Sequence, residues 1–257
     1  MLSGLRSALL QPVSGASLAV ARMAFGVTVV VEVGRYVYHD WIWAYYVEPV
    51  LRLTYYGWGW VPAASYPVLL VVFGLLAAAG AALALGYRTR LAATATALLL
   101  GYVFLLEQGR YLNHIYLMVV LAALFALLPS GGAWSLDRWR QSKAWRGAIP
   151  AWGLRAFQTQ LALVYTTAAV AKINGDWLRG EPIGMWLEPT LAGSPLAVLL
   201  GWEPWPLLFA WGGLALDLLA VPALFWRRTR VLAVAALVSF HLFNAWAFEI
   251  GVFPWLM

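Results

Sequence analysis

Val68-Leu-Leu-Val-Val-Phe-Gly-Leu-Leu-Ala-Ala-Ala-Gly-Ala-Ala-Leu-Ala-Leu85 contains no charge, no proline and no polar side chain. A helix that crosses a hydrocarbon core of about 30 Å needs about 20 mostly apolar residues. Extending this run to Ser65 and Gly86 meets that need. A β-barrel strand would alternate in polarity over about ten residues. Neither this run nor Leu117–Leu128 alternates, so both read as membrane helices.

Six further stretches have the same character. With the first they cover roughly 15–36, 65–86, 91–108, 111–128, 153–171, 204–226 and 231–250. The expected fold is therefore all-α and integral to the membrane, with about seven transmembrane helices in one bundle. Residues 1–257 read as a single domain without internal repeats or a soluble segment. The first span is too long, and lacks the small-residue cleavage site, for a removable signal peptide.

Composition agrees. The 257 residues are 63% hydrophobic and 11% charged, with a mean hydropathy of +0.76. A soluble domain is about 45–50% apolar and about 25% charged. No cysteine is present, which removes disulfides, thiolate metal sites and thiol catalysis. Three scattered histidines do not make a metal cluster, and no metal is expected.

The net charge of +6 is a topology signal. Arg6, Arg88, Arg90, Arg138, Arg140, Lys143, Arg146, Arg227, Arg228 and Arg230 all fall in one alternate set of segments. The other set holds Asp40, Glu48, Asp176, Glu181, Glu188, Glu203 and Glu249. This predicts a cytoplasmic N-terminus, an external C-terminus and a microbial plasma membrane. The basic residues then face anionic lipid, and no nucleic-acid partner is expected. On the outer side, segment 37–64 is rich in Trp and Tyr, which suits the headgroup region. Segment 173–203, with Trp177, Met185, Trp186, Leu187 and Trp202, reads as one or two interfacial helices.

Ionisable groups inside spans are costly and face the bundle interior, a cavity or a partner. Arg22, Glu32, Arg35, His114, Arg155, Lys172, Asp217, His241 and Glu249 qualify. Glu32 and Arg35 are spaced for a local pair. Asp217 is expected beside a buried arginine, Arg22 or Arg155. His241, Asn244 and Phe248 share one helix face. By depth, Asn113, His114, Lys172, His241 and Asn244 are expected around one outer-half cavity. Each also has an ordinary role: Lys172 can snorkel to the interface, Asn113 can cap its helix, and the histidines and Asn244 can pack through hydrogen bonds. A lysine desolvated into its neutral amine would instead suit a general base acting on a membrane-dissolved weak acid. Quinols are such acids.

Several strings occur in a characteristic order: Tyr102-Val-Phe-Leu-Leu-Glu107, Asn113-His114-Ile-Tyr116, Trp134-Ser-Leu-Asp137, Tyr165 to Lys172 with Asp176-Trp177, Leu216-Asp217-Leu, and Phe240-His241-Leu-Phe-Asn244 with Phe248 and Phe253. Together they resemble the HTTM domain, the membrane part of vitamin K-dependent gamma-carboxylases. The resemblance implies an enzyme that oxidises reduced vitamin K, or menaquinol as its bacterial counterpart, with oxygen. The strong base so formed removes a proton from a glutamate γ-carbon and the carbanion captures carbon dioxide, a lyase- or ligase-type outcome. It further implies catalytic roles for Lys172, His114 and His241, and contacts to the isoprenoid quinone from Asn113, Asn244, Tyr165 and Trp177. Two departures stand out. Ala171 occupies the place of a family lysine, and the residues up to Met257 include no region for docking a protein substrate. A second reading is a non-enzymatic membrane partner that matures, or confers immunity to, an exported peptide. A transporter is disfavoured by the lack of repeated halves.

Overall fold

In the computed structural model the described residues are 2–143, 146–193, 204–248 and 250–257. Trp202, Glu203 and Glu249 lie outside them. All seven expected apolar stretches form helices, and the contacts divide the chain into two compact units. One runs to Phe157 and takes in Leu256. The other is Gln158–Trp255 with Met257.

The first unit contains α1 (Leu2–Leu10), α2 (Ala16–Tyr38), α3 (Trp41–Tyr46), α4 (Tyr66–Leu85), α5 (Thr89–Leu106), α6 (Asn113–Leu127) and α7 (Leu136–Arg140). Its core is the packing of α2 on α4, α4 on α5 and α5 on α6. On α4, Leu69, Leu76 and Leu83 recur every seven residues and are at most 2% exposed. Val68, Val71, Leu75 and Leu85 of the same helix are exposed. An apolar exterior over an apolar core is what lipid, not water, stabilises. Pro67 in the first turn is tolerated because its missing N–H has no intrahelical partner there. Gly86, at φ +67°, ends the helix by donating to Leu83, while Tyr87 donates to Ala82.

Where α2 meets α4, Gly26 and Gly80 let the backbones touch. A Cβ on Gly26 would stand 2.5 Å from the Ala84 nitrogen, the small-residue contact common between membrane helices. The expected Glu32–Arg35 pair forms at 2.7 Å. A small antiparallel pairing, β1 (Pro12–Ser14) with β2 (Ala148–Pro150), sets Val13 opposite Ile149 and is the one departure from an all-helical fold among the described residues.

Asp137 fastens the turn between α4 and α5. Its carboxylate accepts from the backbone N–H groups of Arg88 and Thr89 and from the Thr89 hydroxyl at 2.7–2.8 Å. Burial alone would raise its pKa, but these bonds, with the nearby charge of Arg22, hold it below the ordinary carboxylate value. A depressed folded-state pKa contributes stability above the unfolded value of about 4, and that stability is lost as pH falls through the folded value. Thermal unfolding scanned below pH 4 should therefore show a steeper loss for the wild type than for Asp137→Asn. Parallel curves would refute this contribution.

The second unit contains α9 (Gly175–Leu178), α10 (Glu181–Leu191), α11 (Pro204–Phe225), α12 (Arg230–Ala247) and α13 (Phe253–Leu256). The helix α8 (Ala151–Ala171) passes from the first unit into the second. Among its described residues, segment 173–203 forms two short helices, α9 and α10. The turn between them needs Gly180, at φ +76°, because a Cβ there would lie 2.8 Å from the Leu207 nitrogen. Hydrophobic packing falls into two clusters, Ile183, Leu187, Leu191, Ala210 and Ala247 in one, and Tyr165, Ala220 and Leu237 in the other.

Length and composition support the expected count of seven spans only in part. Among the described residues, five helices are long and apolar enough to cross a membrane: α2, α4, α5, α11 and α12. At 15 residues α6 is about 22 Å long, short of a hydrocarbon core. Helix α8 has 21 residues, but Arg155, Gln158 and Gln160 dilute its apolar character.

Candidate ligand site

The end of α8 is built by local hydrogen bonds. Asn174 caps α9 by accepting from the Trp177 N–H at 2.9 Å, and its own amide donates back to the Ala171 carbonyl at 2.8 Å. The Trp177 indole N–H donates to the Ala210 carbonyl of α11 at 2.8 Å. The chain around Lys172 is thus fixed on both sides. Tyr165, Ala168 and Lys172 fall on one face of α8 by their spacing.

Lys172 does not snorkel. Its Nζ donates to Asp217 Oδ2 at 2.6 Å and stands 5.0 Å from the centre of the Trp177 ring. The lysine side chain is 18% exposed and the aspartate 5%. This corrects two expectations. The partner of Asp217 is Lys172, whereas Arg22 donates to the carbonyls of Leu83, Ala84 and Trp134 within the first unit. The amine also sits in more than an apolar setting, since a carboxylate faces it.

On α12, His241 and Asn244 are 7% and 8% exposed. His241 Nε2 shares a 3.2 Å hydrogen bond with the Tyr165 hydroxyl. Its Nδ1 is buried and has no hydrogen-bond partner. A neutral imidazole has one donor and one acceptor nitrogen. Nδ1 therefore offers one unused function, of a sense opposite to that of Nε2.

These groups line one cavity of about 1020 Å³ within the second unit. Its polar members include Lys172, Asp217, His241, Asn244 and Tyr165; its walls include Trp177, Trp186, Phe209, Phe240 and Phe253. Small-molecule sites typically occupy about 300–1,000 Å³, with mostly apolar walls and a few converging polar groups. Of the seven site residues expected from the sequence, Lys172, His241, Asn244, Tyr165 and Trp177 come together here. Asn113 and His114 begin α6 in the first unit and are not among the lining residues. Asn113 is exposed and is not the cap, a position taken by Leu112. His114 is buried with Nε2 unpartnered. Asp217, read from the sequence as a structural ion, is the site residue that was missed. Its depth matched that of a lysine as well as an arginine, and no spacing rule chooses between them. No group of three potential metal ligands occurs among the described residues.

The protein is helical and apolar, and its second unit holds an aromatic-lined cavity with an ion pair at its wall. The chain belongs to the HTTM domain family, whose profile matches residues 10–257. This is the gamma-carboxylase-like membrane domain that the ordered strings resemble. No solved structure matches it.

Proposed function

We propose that the second unit binds a reduced isoprenoid quinone, menaquinol or reduced vitamin K, and takes up a proton from its hydroxyl at the Lys172–Asp217 couple. The observation that carries this reading is the 2.6 Å pair at the wall of an apolar, aromatic cavity. The residues fit such a ligand. Trp177 and Phe240 would hold a flat ring, Asn244 and His241 Nδ1 would hydrogen-bond its oxygens, and the volume would suit a ring with part of its tail. When bound, the reduced quinone would supply the electrons for oxygen chemistry of the carboxylase kind.

The protein's own part is to move a proton. Nζ passes a proton to Asp217 Oδ2 and takes one from the cavity side. The proton gained resides on the carboxyl group, and the lysine is an ammonium before and after. That ammonium neutralises negative charge in the cavity, where low dielectric strengthens the attraction. Tyr165 orients the His241 ring through their hydrogen bond, and the aromatic walls keep most of the lining apolar. Carboxylation of a peptide or protein glutamate is the downstream chemistry the family suggests.

Organic extraction of the purified protein tests this reading. An isoprenoid quinone should be recovered in near-stoichiometric amount, and oxygen with the reduced form should yield an epoxide. Quinone no richer than in the surrounding lipid would favour the non-enzymatic membrane partner instead.

The loop charges support a plasma-membrane orientation with the N-terminus inside, the C-terminus outside, and α6 and α8 crossing as well. The short α6 needs only local thinning of the bilayer, at a modest cost. A cysteine introduced at Glu181 should react with an impermeant reagent from outside, and one at Gln141 should not. Equal labelling of both would defeat a crossing by α8.

A further inference from the structure

A second cavity, of about 550 Å³, lies in the first unit at the start of α5. Arg88, Arg90, Arg138 and Lys143 line it, and Asp137 is the acidic residue among the lining groups. Asp137 is already engaged by the backbone N–H groups of Arg88 and Thr89 and by the Thr89 hydroxyl, so one committed carboxylate stands beside the side chains of Arg88, Arg90 and Lys143. It also satisfies the first N–H groups of α5, which leaves the cationic side chains as the source of attraction. Gly131 and Gly132 add no side chain to the lining.

We propose that this cavity binds a phosphate-bearing anion, the headgroup of an anionic phospholipid. Arg88, Arg90 and Lys143, with one committed carboxylate, leave an excess of positive charge that a phosphate relieves through charge-assisted hydrogen bonds. The lipid source follows from the apolar rim. Leu91 lines the cavity and is 61% exposed. Leu98, on the same face of α5 two turns on, is 69% exposed. An acyl chain attached to the phosphate would lie along this track. Basic pockets of this form between membrane helices are suited to lipid headgroups.

Native mass spectrometry of the full chain, purified in neutral detergent and supplied with phosphatidylglycerol or phosphatidylcholine, tests the proposal. The wild type should retain phosphatidylglycerol preferentially. Arg90→Gln with Lys143→Gln, both at exposed side chains, should weaken retention about thirtyfold, as expected for two surface cations. Arg227→Gln with Arg228→Gln, which changes a basic turn outside this cavity, should have little effect. Equal loss in both pairs, or no preference for the anionic lipid, would overturn the site. Inorganic phosphate and glycerol phosphate form the remaining arm. Failure of either to displace the lipid assigns the phosphate to a membrane lipid, and displacement at millimolar levels assigns it to a soluble anion. Size-exclusion profiles matching the wild type confirm that the variants fold.

Discussion

Lys172→Arg is expected to abolish oxygen-dependent quinol turnover while leaving folding and membrane insertion intact. Arginine keeps the positive charge and can still pair with Asp217. It does not release a proton at any working pH, so the passage of a proton from Nζ to Oδ2 stops. Positioned acid–base groups typically contribute about 10²–10⁴-fold, and a loss in that range is the expected size. Asp217→Asn should reach the same range by a different route, because the amide accepts a hydrogen bond from Nζ but cannot store the proton. Asp217→Glu should recover part of the rate. Quinone content measured on each variant separates binding from chemistry. Retained quinone with lost turnover supports the couple, and full turnover in Lys172→Arg would eliminate it. A pH–rate profile adds a readout that a structural pair would not move. The acid limb of the wild type should disappear in Asp217→Asn.

Much of this arrangement could be read from the sequence, for a physical reason. A membrane helix has to satisfy its backbone internally, so apolar length alone locates it. The run through Leu69, Leu76 and Leu83 is legible on that ground, as is the Glu32–Arg35 pair, whose members are three residues apart. His241 and Asn244 share a face for the same local reason. What crosses between helices was not legible. Arg22, Arg155 and Lys172 are chemically acceptable partners for Asp217, and only the packing of the second unit selects the lysine. Nor does sequence show that the Tyr165 hydroxyl reaches His241. Spans are least legible where composition is mixed, in the Gln-bearing first half of α8, and where a helix is short, in α6.

The second large effect is expected at Arg22, where stability rather than chemistry is at stake. This side chain is fully buried. Its guanidinium donates to the Leu83 carbonyl, to Ala84 at 3.0 Å and to Trp134 at 2.7 Å. Leu83 and Ala84 lie in the last turn of α4, where the helix dipole presents negative charge; the Leu83 carbonyl also accepts from the Gly86 N–H. Gly86 makes room for it, since a Cβ there would lie 2.6 Å from the Arg22 Nη1. One planar cation therefore ties α2, the end of α4 and the Trp134 turn together. Arg22→Met preserves much of the volume but strands the Ala84 and Trp134 carbonyls. Hydrogen bonds to charged groups contribute about 1.5–3 kcal/mol each and do not sum fully, so a loss of about 3–5 kcal/mol is expected. That is a large part of a typical 5–15 kcal/mol and corresponds to a melting shift of about 10 °C or more. Arg22→Lys should fall between the two, because a single ammonium cannot span three carbonyls set by a planar fork. Tryptophan-fluorescence melting in detergent reads all three, with Lys172→Arg as a reference expected near the wild type. An Arg22→Met midpoint within about 2 °C of the wild type would mean that water or a shifted helix end satisfies those carbonyls, and that the arginine does not hold the bundle.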